Sequence, residues 1–259
     1  MFLLDLAQAQ RSLHTRRAYA SDLAQFAATS PGPLTGITPT LLRAFFLTLE
    51  TRQPTTRARQ QATLASFFAW AYRQDLLAHN PMTQIQRVQP AVPLPRAIAR
   101  PQVEAICAAI PRADQRDRVL FRLLVETGLR IGEALGLEVG AVDRTRDDEH
   151  LRVLGQGGRW RTVLLDARDL VRQIRRYRQY TGYRHGPLFR AVKNGGAAGL
   201  RYQSVQERWA GYCAAAGGRC SLHQLRHTHA TELVNDGISL ATIRKRLGHQ
   251  RMETTLRYA

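Results

Sequence analysis

Thr127-Gly128-Leu129-Arg130-Ile131-Gly132-Glu133 is the stretch of the chain from which its fold class can be worked out. Arg130 and Glu133 are three residues apart, so on a helix they would lie side by side and form an ion pair. This pair has two interpretations: it is a structural contact, or Glu133 steadies an arginine that binds phosphate. Residues of related chemistry further along the chain favour a phosphate-binding role for Arg130.

Three downstream blocks carry that chemistry: His223-Gln224-Leu225-Arg226, Leu247-Gly248-His249 and Tyr258. A phosphodiester is negatively charged, and nucleophilic attack builds more charge on its two non-bridging oxygens. Guanidinium stays protonated and presents a planar fork of donors that matches phosphate. Arg130 and Arg226 are therefore predicted to bind these oxygens, and each donor would contribute roughly 10²–10³ in rate.

Tyr258 is the predicted nucleophile of this constellation. An unperturbed tyrosine has a pKa of about 10 and is mostly protonated at cellular pH, so it needs a base or a cationic site nearby. His223 is the best candidate to accept the phenolic proton, and His249 is expected to hydrogen-bond a phosphate oxygen. The predicted catalytic residues are thus Arg130, His223, Arg226, His249 and Tyr258.

In this order and spacing, the blocks resemble the catalytic domain of the tyrosine recombinases of the Xer and phage-integrase family. Residues 15–23 and 67–72 are similar to the family's core-binding domain, so the resemblance covers nearly the whole chain. It implies a site-specific DNA recombinase that cleaves and rejoins strands through a 3′-phosphotyrosyl intermediate. The implied partners are double-stranded DNA and a homo- or hetero-tetramer on two DNA sites, and no cofactor or metal is expected.

The segment that joins two predicted strands, at 151–154 and 160–165, departs from the family pattern. In the family this hairpin usually reads Gly-Lys-Gly-x-x-x-Arg. Here it reads Gly155-Gln156-Gly157-Gly158-Arg159-Trp160-Arg161. The resemblance implies that the family's lysine is a general acid that protonates the departing 5′-oxygen. The amide of Gln156 cannot give up a proton in that way. Arg159 and Arg161 are candidates to stabilise the leaving oxygen by charge. We therefore predict slow or partner-dependent cleavage.

Two other functions remain open from the residues. A type IB topoisomerase uses a similar set of groups but rejoins the same strand, so multimerisation on DNA distinguishes it from a recombinase. A catalytically weakened DNA-binding protein that regulates or shapes recombination sites is favoured by Gln156 and disfavoured by the retained catalytic residues.

The end of the sequence also differs from the family. Its members commonly continue past the tyrosine with a helix that docks into the neighbouring subunit, whereas this sequence stops at Ala259. Two interpretations stay open: the sequence is part of a longer chain, or assembly is regulated in another way.

Composition independently points to a folded protein that binds nucleic acid. The 259 residues, 44% of them apolar, can bury substantial cores and suggest two domains. A net charge of +18 and a pI of about 11.2 favour a polyanionic partner, foremost duplex DNA. Three cysteines without C-x-x-C spacing argue against a disulfide framework, so we predict a cytoplasmic protein. The apolar start, residues 1–5, is too short for a membrane span and is expected to pack on a partner.

The hydrophobic pattern predicts a mainly α fold with one small β-sheet, in two domains. Prolines at positions 90, 93, 95 and 101 deny helical hydrogen bonds and mark an extended connection. We predict a helical core-binding (SAM-like) DNA-binding domain at 1–89, a linker at 90–100 and the tyrosine-recombinase catalytic domain at 101–259. Helices are expected at 15–29 with Thr15 as N-cap, 39–49, 55–72, 101–110, 115–127, 131–138, 167–180, 201–216, 223–235 and 239–247, and a hairpin at 151–154 and 160–165.

Several other side chains have a structural and a functional interpretation. His223 and His227 share a helix face at metal-ligand spacing, but no H-E-x-x-H pattern accompanies them, so His227 is expected to support the site instead. The aromatic residues of 67–70 alternate with small residues and are predicted to be core. Arg57 and Arg59 are the candidates for contact with DNA in the first domain.

Overall fold

The computed structural model describes residues 1–88, 97–143, 145, 148–155, 158–191 and 198–248, with only the backbone of His14. Its elements are α1 Phe2–Gln8, α2 Leu13–Thr29, α3 Pro39–Leu47, α4 Pro54–Arg73, α5 Arg100–Ala108, α6 Gln115–Thr127, α7 Ile131–Leu135, β1 Val142–Asp143, β2 His150–Leu154, β3 Trp160–Leu164, α8 Arg168–Thr181, α9 Tyr202–Ala215, α10 Leu222–Asn235 and α11 Leu240–Leu247. The predicted mainly helical fold with one small sheet is confirmed. Within the described residues, no helix has the length and apolar character needed to cross a membrane.

Local sequence signals set where the helices of the first unit begin. The hydroxyl of Ser12 accepts a hydrogen bond from the Thr15 backbone N–H at 3.1 Å, so Ser12 caps α2 and the assignment of Thr15 as N-cap was wrong. Thr38 caps α3 in the same way, through the backbone N–H of Leu41. Pro54 stands in the first turn of α4, where its missing N–H costs no helical hydrogen bond.

Aromatic side chains fill the core of the first unit, which spans Met1–Pro93. Phe26 packs edge-on against Phe45 and Phe68, with ring centroids 5.0 and 6.0 Å apart. Phe68 and Trp70 are buried, which confirms them as core residues, whereas Phe67 is only half-buried. Phe2 is buried against Trp70, so the apolar start packs on its own unit through this residue, and contact with a partner stays a prediction.

Helix α6 is the centre of the second unit, Leu94–Ala259. It begins and ends at the predicted residues, and most of its side chains are buried where it packs against α8 and α10. Helix α7 ends at Leu135 and not at 138 as predicted, because the next residues pair with an extended segment instead. Leu188 donates its backbone N–H to the Leu137 carbonyl at 2.8 Å, and Val139 donates to Gly186 at 2.9 Å.

The sheet is antiparallel in the order β1-β2-β3, and β2 with β3 forms the predicted hairpin. The short strand β1 was not predicted. Leu151 lies opposite Val163, and Val153 lies opposite Arg161, so these four side chains share one face of the sheet. Leu151, Val153 and Val163 are buried in the core, and the other face, with Trp160, is exposed.

The predicted linker is only partly described, since residues 89–96 lie outside the described part. Ile98, inside the segment predicted as linker, is buried in the core of the second unit. Its backbone N–H donates to the hydroxyl of Thr228 on α10 at 2.8 Å. The boundaries 1–89, 90–100 and 101–259 therefore stay a prediction, while α5 begins at Arg100.

Candidate active site

Gly128 joins α6 to the segment that carries Arg130. It ends α6 in the left-handed region with φ of 61°, and its N–H donates to Leu124 at 3.0 Å. A Cβ atom at this position would lie 2.7 Å from the His229 ring and 2.8 Å from the Leu247 side chain. Position 128 therefore requires glycine for two independent reasons, backbone conformation and close packing.

Arg226 connects the ends of two helices from within the core. Only 2% of its surface is exposed. Its Nη1 donates to the Gly128 carbonyl and its Nη2 donates to the Leu247 carbonyl, each at 2.7 Å. Carbonyls at helix C-termini carry partial negative charge, so they stabilise a buried guanidinium. The side chain thereby holds the C-terminal ends of α6 and α11 against α10.

Arg130 lies at the start of α7 with 30% of its side chain exposed. Its Nη1 donates to Glu133 Oε1 at 3.0 Å, and its backbone N–H donates to Glu133 Oε2 at 2.9 Å. The ion pair that one interpretation expected is therefore present. Glu133 also accepts two hydrogen bonds from Arg161, at 3.0 and 2.8 Å, so the carboxylate links the arginine to the hairpin. Burial by itself would raise the pKa of Glu133, but the hydrogen bonds and charges of both arginines outweigh burial and lower it.

His223 lies in the first turn of α10, solvent-accessible and one turn before Arg226. Ser221 and Gln224 form a capping box, in which the Ser221 N–H donates to the Gln224 amide oxygen at 2.8 Å. Partial desolvation of the ring, followed by the positive charges of Arg226 and Arg130, lowers the pKa of His223. A neutral imidazole is therefore available at neutral pH, as a general base requires.

The neighbouring histidines of α10 differ in environment. His227 lies edge-on to His223, with ring centroids 4.6 Å apart, and its supporting role stays a prediction. His229 is buried, and desolvation together with the charges of Arg246 and Arg226 lowers its pKa to about 4. Among the residues that the structure describes, no group of three or more His, Cys, Asp or Glu side chains is arranged to hold a metal ion.

The predicted site residues are thus only partly covered by the description. Arg130, His223 and Arg226 belong to one region of the second unit, since both arginines act electrostatically on the His223 ring. Gln156, His249 and Tyr258 lie outside the described residues. Their nearest described neighbours in the chain are Gly155 and Gly248, and both pack against the Arg161 guanidinium.

The remaining candidates are one arginine of the hairpin and two arginines of the first unit. Arg159 is exposed, and its carbonyl accepts the Gly155 N–H at 2.8 Å where the hairpin turns. In the first unit, Arg59 pairs with the buried carboxylate of Asp22, and Arg57 donates to the carbonyl of Glu50 at 3.4 Å. Both α4 arginines therefore have intramolecular partners, and contact with DNA remains a prediction for them.

Sequence reasoning missed the glycines and carbonyls that hold the site. Gly128 and Gly248 both cap helices with positive φ, of 61° and 67°. A glycine directly after an amphipathic run is a known signal for a helix C-terminus, so these positions could have been found. The partner of Arg161 could not, because Glu133 is 28 residues away and no spacing rule relates them.

The sequence matches two family descriptions that together cover most of the chain. Residues 96–259 match the phage integrase family, and residues 1–75 match the phage integrase N-terminal SAM-like domain. The chain belongs to the phage integrase family of tyrosine recombinases. This phage integrase family member is 34% identical over 272 residues to the tyrosine recombinase XerC of Mycobacterium sp. strain KMS, covering 96% of this chain and 88% of that protein.

Solved structures agree on the fold of this family member. The XerH site-specific recombinase in a post-cleavage complex with palindromic difH substrate superposes with a TM-score of 0.79 at 20% identity, over 95% of this chain and 76% of the other. A lambda integrase tetramer bound to a Holliday junction gives a TM-score of 0.82 at 18% identity, over 99% and 74%. The resemblance inferred from the sequence motifs is confirmed.

Proposed function

We propose that this chain is a site-specific recombinase of double-stranded DNA that cleaves and rejoins strands through Tyr258. The observation that carries the proposal is the arrangement of Arg130, Arg226 and His223: Arg226 lies one turn after the solvent-accessible His223 on α10, and desolvation of the ring, followed by the charges of Arg226 and Arg130, lowers the pKa of His223. Such a site attracts an anionic phosphodiester and keeps a neutral base beside it. Membership of the tyrosine recombinase family supports the assignment.

The cleavage step follows from the chemistry of these groups. The phenolic oxygen of Tyr258 attacks the phosphorus while its proton passes to His223, and the bond to the 5′-oxygen breaks. Arg130 and Arg226 oppose the negative charge that develops on the non-bridging oxygens, and His249 donates a hydrogen bond to one of them. The products are a 3′-phosphotyrosyl linkage and, once the departing oxygen has taken a proton from water or from an acid of a partner subunit, a free 5′-hydroxyl end.

Rejoining uses the same groups in reverse. The phosphotyrosyl bond conserves the energy of the broken phosphodiester, so a 5′-hydroxyl can attack it and release the tyrosine without a nucleotide cofactor. Attack by the hydroxyl of a second strand exchanges partners, whereas attack by the original strand restores the starting DNA. Strand exchange therefore requires two DNA sites to be held together, and we propose a homo- or hetero-tetramer for this purpose.

The departing 5′-oxygen must gain a proton, and Gln156 cannot supply one. We propose that wild-type cleavage is slow, or that a partner subunit provides the missing acid, because general acid–base help is typically worth about 10²–10⁴ in rate. Arg159 remains the candidate to stabilise the leaving oxygen by charge, since Arg161 is engaged with Glu133.

The proposed assembly and location follow from the relatives and the charge. The XerC relative is described as a tyrosine recombinase, and lambda integrase has been captured as a tetramer on a Holliday junction. A net charge of +18 suits a protein that holds DNA phosphates. We propose that the protein acts in the cytoplasm, and its three cysteines, which form no disulfide, are compatible with a reducing compartment.

A second function is favoured by one observation, the glutamine at position 156. A protein that binds recombination sites but cleaves them poorly would act as a regulator or an architectural factor. Relaxation of supercoils in the manner of a type IB topoisomerase is the other alternative, and it differs in needing no second subunit. Cleavage measured together with the number of subunits on DNA separates these possibilities.

Covalent capture tests the proposed function. The protein is incubated with nicked fragments of its host genome and denatured in detergent, and the DNA that remains attached is sequenced. Nicks trap the intermediate, because the short cleaved end diffuses away. We expect adducts that share one DNA sequence and disappear in Tyr258→Phe. Tight DNA binding without adducts would instead support the regulator.

A further inference from the structure

Arg161 lies on the inner face of the sheet, where arginine is an unusual occupant. Its position opposite Val153 places its side chain on the same face as the core residues Leu151 and Val163. Only 15% of the side chain is exposed. A guanidinium in such a place must be paired, because an isolated buried charge is strongly unfavourable. The partner is Glu133, whose side chain is 6% exposed.

The Glu133 carboxylate is shared between Arg161 and Arg130. Its Oε1 accepts from Nη1 of each arginine at 3.0 Å. Its Oε2 accepts from Arg161 Nη2 at 2.8 Å and from the Arg130 backbone N–H at 2.9 Å. Four hydrogen bonds thus fix the carboxylate, and two of them require the planar fork of arginine. Removing Arg161 would free Glu133 to rotate, and Arg130 would move with it.

Two glycines pack directly on the Arg161 side chain. A Cβ atom on Gly155 would lie 3.0 Å from its Nη1. A Cβ atom on Gly248 would lie 3.0 Å from its Nε and 3.1 Å from its Cδ and Cζ. The Nε is buried and has no hydrogen-bond partner among the described residues. Gly155 precedes Gln156 in the chain, and Gly248 precedes His249.

We propose that Arg161 is a positioning residue for strand cleavage. It orients Arg130 through Glu133. It also packs against Gly155 and Gly248, the residues that precede Gln156 and His249 in the chain. One side chain thereby couples the hairpin, α7 and the end of α11. The inference rests on the proposed function, and it differs from stabilisation of the leaving oxygen, in which Arg161 would face the 5′-oxygen itself.

The first test compares two leaving groups. The probe is a nicked duplex of the DNA sequence recovered by covalent capture, made with oxygen or with bridging sulfur at the scissile 5′ position. A thiolate leaves readily without a proton, so sulfur rescues variants that lack leaving-group help. We expect Arg161→Gln to slow adduct formation about 10²-fold with both probes, the scale of a displacement of about 1 Å at a catalytic group.

The kinetics also distinguish positioning from a general loss of structure. A positioning role lowers the rate constant for adduct formation while the final adduct amplitude stays complete. A purely structural role lowers the amplitude, because fewer molecules are folded, and leaves the rate constant unchanged. The matched control is Arg172→Gln, which removes an exposed arginine of α8 whose side chain pairs with Asp169. It is expected to keep the wild-type rate constant.

A double-variant comparison tests the route through Glu133. Glu133→Gln and Arg161→Gln should each slow cleavage, and the double variant should be no slower than the slower single variant, because both break one link. If Arg161→Gln fails to fold, Arg161→Lys and the double variant are measured in its place. Arg161→Lys keeps a charge beside Glu133 but lacks the fork, and the double variant leaves no unpaired buried charge.

Two results would overturn the inference. In the first, Arg161→Gln reacts with the sulfur probe as fast as the wild-type protein does with that probe. In the second, Arg161→Gln reacts with the oxygen probe at the wild-type rate constant. Failure of the proposed function looks different, since the wild-type protein itself would then form no Tyr258-dependent adduct with either probe. Wild-type adducts together with fast Arg161→Gln cleavage would refute only the role of Arg161.

Discussion

Gly128 is constrained both by its backbone conformation and by the close packing around it. Alanine in the left-handed region costs about 1 kcal/mol or more, and overpacking a tight core site adds about 1–3 kcal/mol. Gly128→Ala meets both costs, because its methyl group would collide with His229 and Leu247. We expect it to destabilise the protein by about 3 kcal/mol, measured as the free energy of unfolding in urea.

Gly182→Ala is the matched control for this prediction. Gly182 also caps a helix, α8, with φ of 65°, but a Cβ atom there would meet nothing within 4 Å. Its substitution should therefore cost only about 1 kcal/mol, from the backbone alone. Equal losses at the two positions would show that packing around Gly128 contributes nothing.

His223 should control the acid limb of the cleavage rate. Its pKa is lowered, so the ring stays neutral as the pH falls, and cleavage is lost only when the pH drops below that pKa. We expect the midpoint of the acid limb to lie below the ordinary histidine value of about 6.5. Adduct formation measured from pH 5 to 8 gives the midpoint.

The variant His223→Gln provides the control for this profile. It should lose the acid limb and cleave about 10²-fold more slowly on the plateau, the lower end of the usual general-base contribution. An unchanged acid limb in His223→Gln would mean that a different group titrates. DNA binding measured at the same pH values verifies that the variant still occupies its site.

At the scale of elements, the β2–β3 hairpin is where the missing general acid can be restored. The alternation of buried Leu151, Val153 and Val163 sets its register, and the Gly155 N–H closes the turn on the Arg159 carbonyl. Gln156→Lys introduces an ammonium group at a chain position between Gly155 and Arg159. We expect about 10²-fold faster adduct formation with the oxygen probe, the lower end of general-acid contributions.

The control for the hairpin is Gln156→Met, which has similar length but no proton to give. It should cleave no faster than the wild-type protein. The acceleration by Gln156→Lys should shrink with the sulfur probe, because a thiolate does not need the acid. A wild-type rate that Gln156→Lys leaves unchanged with oxygen would refute the assigned defect.

Most elements could be predicted, because residues close in the chain determine where they begin and end. Helix α6 begins and ends as predicted, and the hairpin strands differ by one residue at most from the expected positions. Two of the failures have non-local causes. Helix α7 stops early because residues 137–139 pair with residues 186–188, and β1 exists only because β2 lies beside it. The hydrophobic pattern within α7 or β1 does not predict these pairing partners.

At the scale of the molecule, each compact unit has its own hydrophobic core. Phe26, Leu42, Phe45, Leu64 and Phe68 are buried with one another in the first unit. We therefore expect a fragment of residues 1–88 to unfold cooperatively in urea, followed by far-ultraviolet circular dichroism. A fragment of residues 1–53 lacks α4 and its core residues, so it should show no cooperative transition. Non-cooperative unfolding of the longer fragment would contradict the prediction.

The catalytic residues could be predicted as a set of chemical groups but not as an arrangement. Arg130, His223 and Arg226 were identified from residue type and spacing, and the structure brings them into one electrostatic environment. Whether Glu133 was a structural partner or a support for Arg130 could not be decided from spacing. The structure shows a carboxylate that pairs with Arg130 and with Arg161 together.

The sequence by itself determined the family, the helical fold class and the chemistry available, because motifs, caps and hydrophobic periods are carried by neighbouring residues. Only the tertiary structure decided how that chemistry is held. It places the Arg226 guanidinium on the carbonyls of Gly128 and Leu247 and the Arg161 guanidinium on Glu133. These contacts join residues 21 to 98 positions apart. Their formation depends on the packing of whole helices and strands, and local sequence preference does not encode it.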